Sequence, residues 1–184
     1  MVRYYVDLGL SVKWATCNLG AELPHECGDH YTWGKTSPTI RENEGYAETH
    51  DDISGNVNND AARAIWGNRW RIPTADEMNE LIHNCNWTWT TKWGQKGYKV
   101  KSKKNGNSIF LPAADCFSEY GALTGIYGYY WTSTPAPLSH IQPQLACALS
   151  FRPPQRESFL YYIFYHEIDN HHRGSGYSIR PVID

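Results

Sequence analysis

The last 49 residues of this 184-residue chain contain no lysine, tryptophan or methionine. All eight tryptophans and all eight lysines lie in the first 135 residues, so the two parts differ in composition. From Ala136 onward the chain is instead rich in Tyr, Phe, His, Ser, Pro, Arg and Ala. Several of these residue types suit surfaces that need rigid contact area and adaptable hydrogen bonds. We expect residues 1–135 to form a scaffold and residues 136–176 a candidate binding region, although chance also produces such gaps in a short segment.

Long apolar runs and a large net charge are also absent. No run approaches the roughly 20 apolar residues that span a bilayer, and residues 1–5 lack the apolar segment of a signal peptide. We therefore expect no membrane insertion, and a chain that is cytoplasmic or phage-borne unless a leader or anchoring domain has been removed. The formal charge of −2 gives no electrostatic case for nucleic acid as a partner. One basic cluster around a predicted turn is interpreted as a solvated strand edge: Lys99, Lys101, Lys103 and Lys104.

The cysteines give weak support for a disulfide framework or a zinc site. They are odd in number and contain no close CxxC pair. Cys17 and Cys27 can form a bridge if the chain is exported, but buried free thiols are the favoured interpretation. A chain of this length fits one domain and buries a sizeable core without covalent staples.

Local signals predict the first elements of the scaffold. Residues 5–15 mix β-formers with glycine and predict a strand with a bend. Residues 34–58 are polar and predict a long surface loop. A first helix is predicted at about 59–66, stopped by Gly67-Asn68.

The second helix has the clearest signal in the chain. Thr74 and Glu77 have the spacing of a capping box. An apolar stripe at the spacing of one buried helical face then follows: Met78, Leu81, Ile82 and Cys85.

Short strands follow the second helix. Asn105-Gly106 lies between two of them and predicts a tight hairpin turn. Two helices followed by several short antiparallel strands predict an α+β domain. The predicted strands are 87–91, 97–100, 108–112, 129–132, 146–151, 159–165 and 177–183.

Four separated motifs, in order, resemble known domains. Three of them resemble segments of formylglycine-generating-enzyme-type domains: Trp70-Arg71-Ile72-Pro73-Thr74-Ala75-Asp76-Glu77, Gly128-Tyr129-Tyr130-Trp131-Thr132-Ser133-Thr134 and Ser178-Ile179-Arg180-Pro181-Val182. The opening, residues 6–18, is similar to the start of many paralogous domains from gut Bacteroidetes. The resemblance implies the C-type-lectin-like fold in its formylglycine-generating-enzyme branch, as one domain over residues 1–184.

Within that branch, the tail resembles the variable proteins of diversity-generating retroelements. In those systems template adenines are copied promiscuously, so AAY codons scatter over many amino acids but never yield Lys, Glu, Gln, Trp or Met. The lack of Lys, Trp and Met in the tail agrees with this. Five tail residues do not fit and must be fixed by the template: Gln142, Gln144, Gln155, Glu157 and Glu167.

The resemblance also assigns candidate variable positions. Two family patterns fall on residues 146–151 and 168–176, whereas 137–144 and 152–166 are placed on the surface without individual assignments. The assigned positions are Cys147, Ala148, Ser150, Asp169, Asn170, His171, His172, Gly174 and Ser175. Aromatic residues often dominate binding energy, and the candidate anchors are His140, Tyr161, Tyr162 and Phe164.

Metal and enzyme interpretations have less support. Adjacent histidines on a strand point to opposite faces, so His171 and His172 are poorly placed to share an ion. A calcium site needs a cluster of oxygen ligands. The segment Gln142-Pro143-Gln144 faintly resembles a lectin sugar-binding tripeptide but has no carboxylate or amide partner. The formylglycine-generating oxidase needs a pair of cysteines near the end of the domain, where this chain has only Cys147.

The sequence therefore predicts a binding module without enzymatic activity, cofactor or metal. Its expected partner is a protein or a cell-surface ligand. An adhesin or pilus-tip domain and a calcium-dependent carbohydrate-binding domain remain alternatives. If the prediction is right, Cys147, Ala148, His171 and Ser175 should cluster and face solvent.

Overall fold

Strands dominate the computed structural model, which describes residues 3–41, 44–67, 69–117, 124–154 and 166–184. The elements of this part of the chain are β1 Tyr5–Val6, β2 Lys13–Ala15, α1 Ala61–Trp66, α2 Ala75–Asn84, β3 Cys85–Lys92, β4 Gln95–Ser102, β5 Ser108–Pro112, β6 Gly128–Pro135, β7 Leu145–Phe151, β8 His166–His172 and β9 Val182–Ile183.

These strands form three small antiparallel sheets. Their orders are β1-β2-β9, β3-β4-β5 and β6-β7-β8. The predicted α+β, C-type-lectin-like class is wrong, because the two helices hold only six and ten residues. Both helices were expected, but they are too short to form a layer of their own. Most of the buried side chains come from strands and loops, so the described architecture is sheet-rich and mostly β.

The predicted capping box at the start of α2 is confirmed. The Thr74 hydroxyl accepts a hydrogen bond from the Glu77 amide at 3.2 Å, and the Thr74 amide donates to the Glu77 carboxylate at 2.8 Å. Met78 and Leu81 are buried, as the spacing predicted. Cys85 is also buried but begins β3 instead of extending the helix. Neither helix of the described residues has the length and hydropathy of a membrane span.

The tight turn lies in a different hairpin from the one expected. β3 and β4 are joined by Trp93-Gly94 alone, because Lys92 pairs with Gln95. The predicted turn at Asn105-Gly106 belongs to a longer connection, residues 103–107, between β4 and β5. Trp93, in the two-residue turn, is 84% exposed.

The later strands agree only in part with the sequence prediction. Predicted strands at 129–132 and 146–151 correspond to the longer β6 and to β7. Of the predicted strand 177–183, only Val182–Ile183 forms a sheet strand, while Tyr177 and Ser178 make isolated bridges. β8 was not predicted as a separate strand. The predicted strand 159–165 lies outside the described residues.

Two large core clusters pack against these sheets, beside a small third one around Trp70. One joins α2 to the β3–β5 sheet and to the inner side of β7, and includes Met78, Val100 and Leu149. The other lies on the opposite side of the β6–β8 sheet, where Trp33 and Trp131 are buried. The β6–β8 sheet is therefore covered on both faces near β6 and β7. β8 forms one edge of this sheet.

Candidate functional site

The pairing of β7 with β8 brings several predicted positions together. Cys147 lies opposite Asn170, and Ala148 lies opposite Asp169. His171 lies one position further along the ladder, opposite Ala146. Two segments more than 20 residues apart in sequence thus form one continuous ladder.

Two of the predicted positions face inward. Cys147 is 7% exposed and Ala148 is fully buried. The Cys147 thiol donates to the Pro135 carbonyl at 3.6 Å, and burial raises the pKa of this thiol. A thiol is nucleophilic only as the thiolate, so this environment disfavours reactivity. The expectation that Cys147 and Ala148 face solvent is wrong.

His171 is half-buried and participates in an aromatic cluster. Its ring packs edge-on against Tyr129 and Tyr177, and its Nδ1 lies 2.9 Å from the Tyr177 hydroxyl. Burial lowers the pKa of His171, while the charges of Asp169 and Glu167 act in the opposite direction. A neutral His171 therefore helps to fix the position of β8.

The other predicted positions on this ladder differ in exposure. Ser150 is half-buried and lies opposite Glu167. Asp169 and Asn170 are exposed on the edge strand. Asp169 and Asn170 therefore present their side chains to solvent along β8, as does His172 at its end.

The end of β8 and the turn after it form part of a cavity. His172, Gly174 and Ser175, all predicted positions, line a cavity of about 260 Å³. The remaining lining comes from outside the predicted set: Thr39, Cys116, Phe117 and Gly176. A site composed of tail residues and scaffold loops is therefore present at this end of the sheet.

A scaffold loop links this cavity to His140. The Tyr46 ring packs edge-on against His172 with centroids 5.6 Å apart, and the His50 ring lies 4.7 Å from His140. Two apolar side chains near His140 are strongly exposed, Leu138 at 61% and Ile141 at 77%. We call this area the loop surface, defined by Tyr46, His50, Leu138, His140, Ile141, His172, Gly174 and Ser175.

The buried side chain of Arg173 holds the loop surface in place. Its Nη1 donates to the carbonyls of Ala47 and Thr49 at 2.8 and 2.7 Å. Its Nε donates to the Leu145 carbonyl at 3.0 Å, at the start of β7. Arg173 thereby fixes the scaffold loop, the turn and β7 relative to one another.

Sequence reasoning missed most of the scaffold contribution. The polar composition of residues 34–58 identified a loop but did not distinguish Tyr46 or His50. Arg173 was not singled out, because its carbonyl partners lie 28 to 126 positions away in the chain. The predicted anchors Tyr161, Tyr162 and Phe164 lie outside the described residues.

Comparisons with known proteins gave no relatives. No protein-family model matches the chain, and neither the curated proteins nor the solved structures searched contain a match. Among the described residues, no group of three or more His, Cys, Asp or Glu is arranged to hold a metal ion.

Proposed function

We propose that this chain is a ligand-recognition module whose binding site is the loop surface. The observation that carries the proposal is that His172, Gly174 and Ser175 line one cavity together with scaffold residues.

The anchoring of the loop surface supports a binding role. Arg173 connects Ala47, Thr49 and Leu145 through its guanidinium group. A surface ordered before binding loses little conformational entropy when a partner docks, which favours affinity. The side chains at the surface can therefore change while the backbone beneath them is retained.

The composition of the loop surface favours a protein or another cell-surface ligand. Leu138 and Ile141 offer exposed apolar area, and His140 and His172 add aromatic rings with hydrogen-bonding edges. Such a combination of apolar contact and peripheral polar groups is typical of protein interfaces. We assign no catalytic role to the buried Cys147.

We further propose that a retroelement diversifies part of this surface, as in the variable proteins that the tail resembles. His140, His172, Gly174 and Ser175 are all residue types that AAY codons reach after adenine mutagenesis. Mutated AAY codons can also encode Cys147 and Ala148. Because both residues are buried, changes there affect core packing more than contact with a ligand. The neighbouring DNA tests this directly. It should encode a reverse transcriptase and a near-copy of the final coding stretch that differs at adenines, and the absence of both would refute diversification.

Binding is tested with two display libraries of equal size. The first randomises His140, His172 and Ser175, and the matched control randomises three exposed positions on the β3–β4 hairpin, Asn86, Thr88 and Lys101. Both are selected against the same panel of purified proteins. Gly174 is kept unchanged in both libraries.

The loop-surface library should yield target-specific binders whose melting temperatures stay close to that of the parent. The control library should yield few or none. The proposal fails if loop-surface clones unfold, or if both libraries give binders at the same frequency.

A further inference from the structure

Positive charge is concentrated in one sheet of this acidic protein. Residues 85–112, which contain β3, β4 and β5, have no Asp or Glu, while the whole chain has a formal charge of −2. The lysines of this segment are Lys92, Lys96, Lys99, Lys101, Lys103 and Lys104. This local excess attracts anions even though the protein as a whole does not.

Carboxylates do not neutralise these lysines within the described residues. There, both ion pairs shorter than 4 Å belong to Arg71, with Glu77 and Asp184. The lysine charges of the β3–β5 sheet are therefore available to an external partner.

Two of the lysines line a cavity of about 410 Å³. It lies between the β3–β5 sheet and the N-terminal segment, with Lys92 and Lys99 on the sheet side and Val6 and Pro24 on the other. This volume falls in the range that accommodates small-molecule ligands. The cavity combines cationic groups with an apolar wall.

The strand register explains this combination. Lys99 lies opposite Phe110, and side chains directly opposite one another share a face of the sheet. The Lys92 amine lies 6.0 Å from the centroid of the Phe110 ring. Because Gly97 has no side chain, the Phe110 ring can pack over it. The cavity thus has an aromatic residue next to two lysines, one across the ladder and one with its amine near the ring.

The cavity is lined by a strand that a buried arginine holds in place, and by hydroxyl groups. The Phe110 carbonyl accepts from the buried Arg180 guanidinium at 2.8 Å, which holds β5 in place. Thr90 and Ser108 also line the cavity and add two hydroxyl groups. Hydroxyls and ammonium groups together are suitable donors for an oxyanion.

We propose that this cavity binds a small amphipathic anion, in which a carboxylate or sulfate group is attached to an apolar ring. The oxyanion contacts Lys92 and Lys99, and the ring packs against Phe110, Val6 and Pro24. The site is separate from the loop surface and does not depend on the function proposed for it.

The test uses 15N-labelled protein titrated with 2-naphthoate and naphthalene-2-sulfonate, with neutral 2-naphthamide as the matched control. Amide shifts should saturate for at least one anion and concentrate at Thr90, Gly97, Lys99 and Phe110. The tighter of the two anions identifies the preferred headgroup. Lys92→Gln and Lys99→Gln should each lower the affinity for that anion by about threefold, and the double variant by about tenfold, as expected for partly exposed charge contacts.

Lys101→Gln is the control variant, because Lys101 lies on the same strand as Lys99 but does not line the cavity. It should change the affinity by less than about twofold. Well-dispersed spectra establish that each variant is folded. The proposal is overturned if Lys101→Gln weakens binding as much as Lys99→Gln, if 2-naphthamide binds as tightly as the anions, or if neither anion gives saturable shifts up to about 10 mM.

Discussion

The guanidinium carbon of Arg173 lies 4.1 Å from the centroid of the Trp33 ring. Both side chains are buried, and the Trp33 amide donates to the Arg173 carbonyl at 2.8 Å. A cation over a desolvated tryptophan face is stabilised by the ring quadrupole. Arg173, which anchors the loop surface, is therefore itself held by its packing against Trp33 in the core.

Replacing this arginine should lower stability substantially. Arg173→Met removes the donors to the carbonyls of Ala47, Thr49 and Leu145, and we expect a loss of about 3 kcal/mol in unfolding free energy. Arg173→Lys keeps the charge but not the forked donor geometry. Its free energy of unfolding should therefore lie between those of the parent protein and Arg173→Met. Urea unfolding measures both, with exposed Arg41→Met as the control. Equal stabilities for Arg173→Met and Arg41→Met would contradict this role.

The hairpin turn at Trp93 is strained and can be improved. Trp93 has φ 50° and Gly94 has φ 84°, as a two-residue turn with two left-handed positions requires. Asparagine tolerates this conformation better than tryptophan. Trp93→Asn should therefore raise the unfolding free energy by about 0.5 to 1 kcal/mol.

Trp93→Ala separates strain from the loss of the ring, because it removes the indole but keeps an unfavourable residue type at this φ. Thermal or urea unfolding should rank the asparagine variant above the alanine variant. If the alanine variant is equally stable, turn strain is not the relevant factor.

Gly97 should tolerate no side chain. An added Cβ would collide with the Leu111 carbonyl oxygen and lie 2.8 Å from Phe110 Cζ. Gly97→Ala should cost about 2 to 3 kcal/mol, because backbone atoms cannot move away cheaply. Gly106→Ala is the comparison, since its φ of 79° is strained but its nearest neighbour is the flexible end of Lys101 at 3.8 Å. It should cost only about 1 kcal/mol, and the reverse order in urea unfolding would refute the steric argument.

Acid should destabilise this protein before its carboxylates titrate. Burial is the main cause that lowers the pKa of His30, His166 and His171 in the folded state. The unfolded chain takes up protons near pH 6.5, whereas these folded histidines do so only at lower pH. The unfolded state then binds more protons, so stability falls as pH decreases below about 6.5.

The decrease should stop once the pH is below the lowered folded-state pKa values. Urea unfolding at several pH values between 7.5 and 5 measures the slope, and His171→Gln should reduce it by removing one of the three groups. A free energy of unfolding that stays constant over this range would exclude the effect.

Local sequence signals predicted the elements that depend on neighbouring residues. The capping box of α2 and the bounds of β5 follow from residues within a few positions of one another. The fold class was wrong because it counted helices, although α1 is short and ends at Gly67 as the sequence predicted. The share of the core that each element contributes decides the class, and this share depends on tertiary packing.

The candidate site was predictable only in part, for two physical reasons. The apolar run from Ala146 to Leu149 indicates a strand buried on both faces. The resemblance to family patterns nevertheless placed Cys147 and Ala148 on the surface. Contacts between the tail and the scaffold loop join residues far apart in the chain, such as Arg173 and Ala47, separated by 126 positions. No local pattern encodes them.

The hydrogen bonds of Arg180 have a consequence for how the protein is made. Its buried Nη1 donates to the carbonyls of Ala15 and Thr16, and Ala15 lies 165 positions earlier in the chain. During synthesis β2 therefore emerges from the ribosome long before the arginine and the strand that complete its environment. We expect the nascent chain to remain protease-sensitive and dependent on chaperones until residue 180 is released, as is typical when early and late segments must pair. Ribosome-arrested chains that stop at residue 150 should be digested rapidly, whereas released full-length protein should resist.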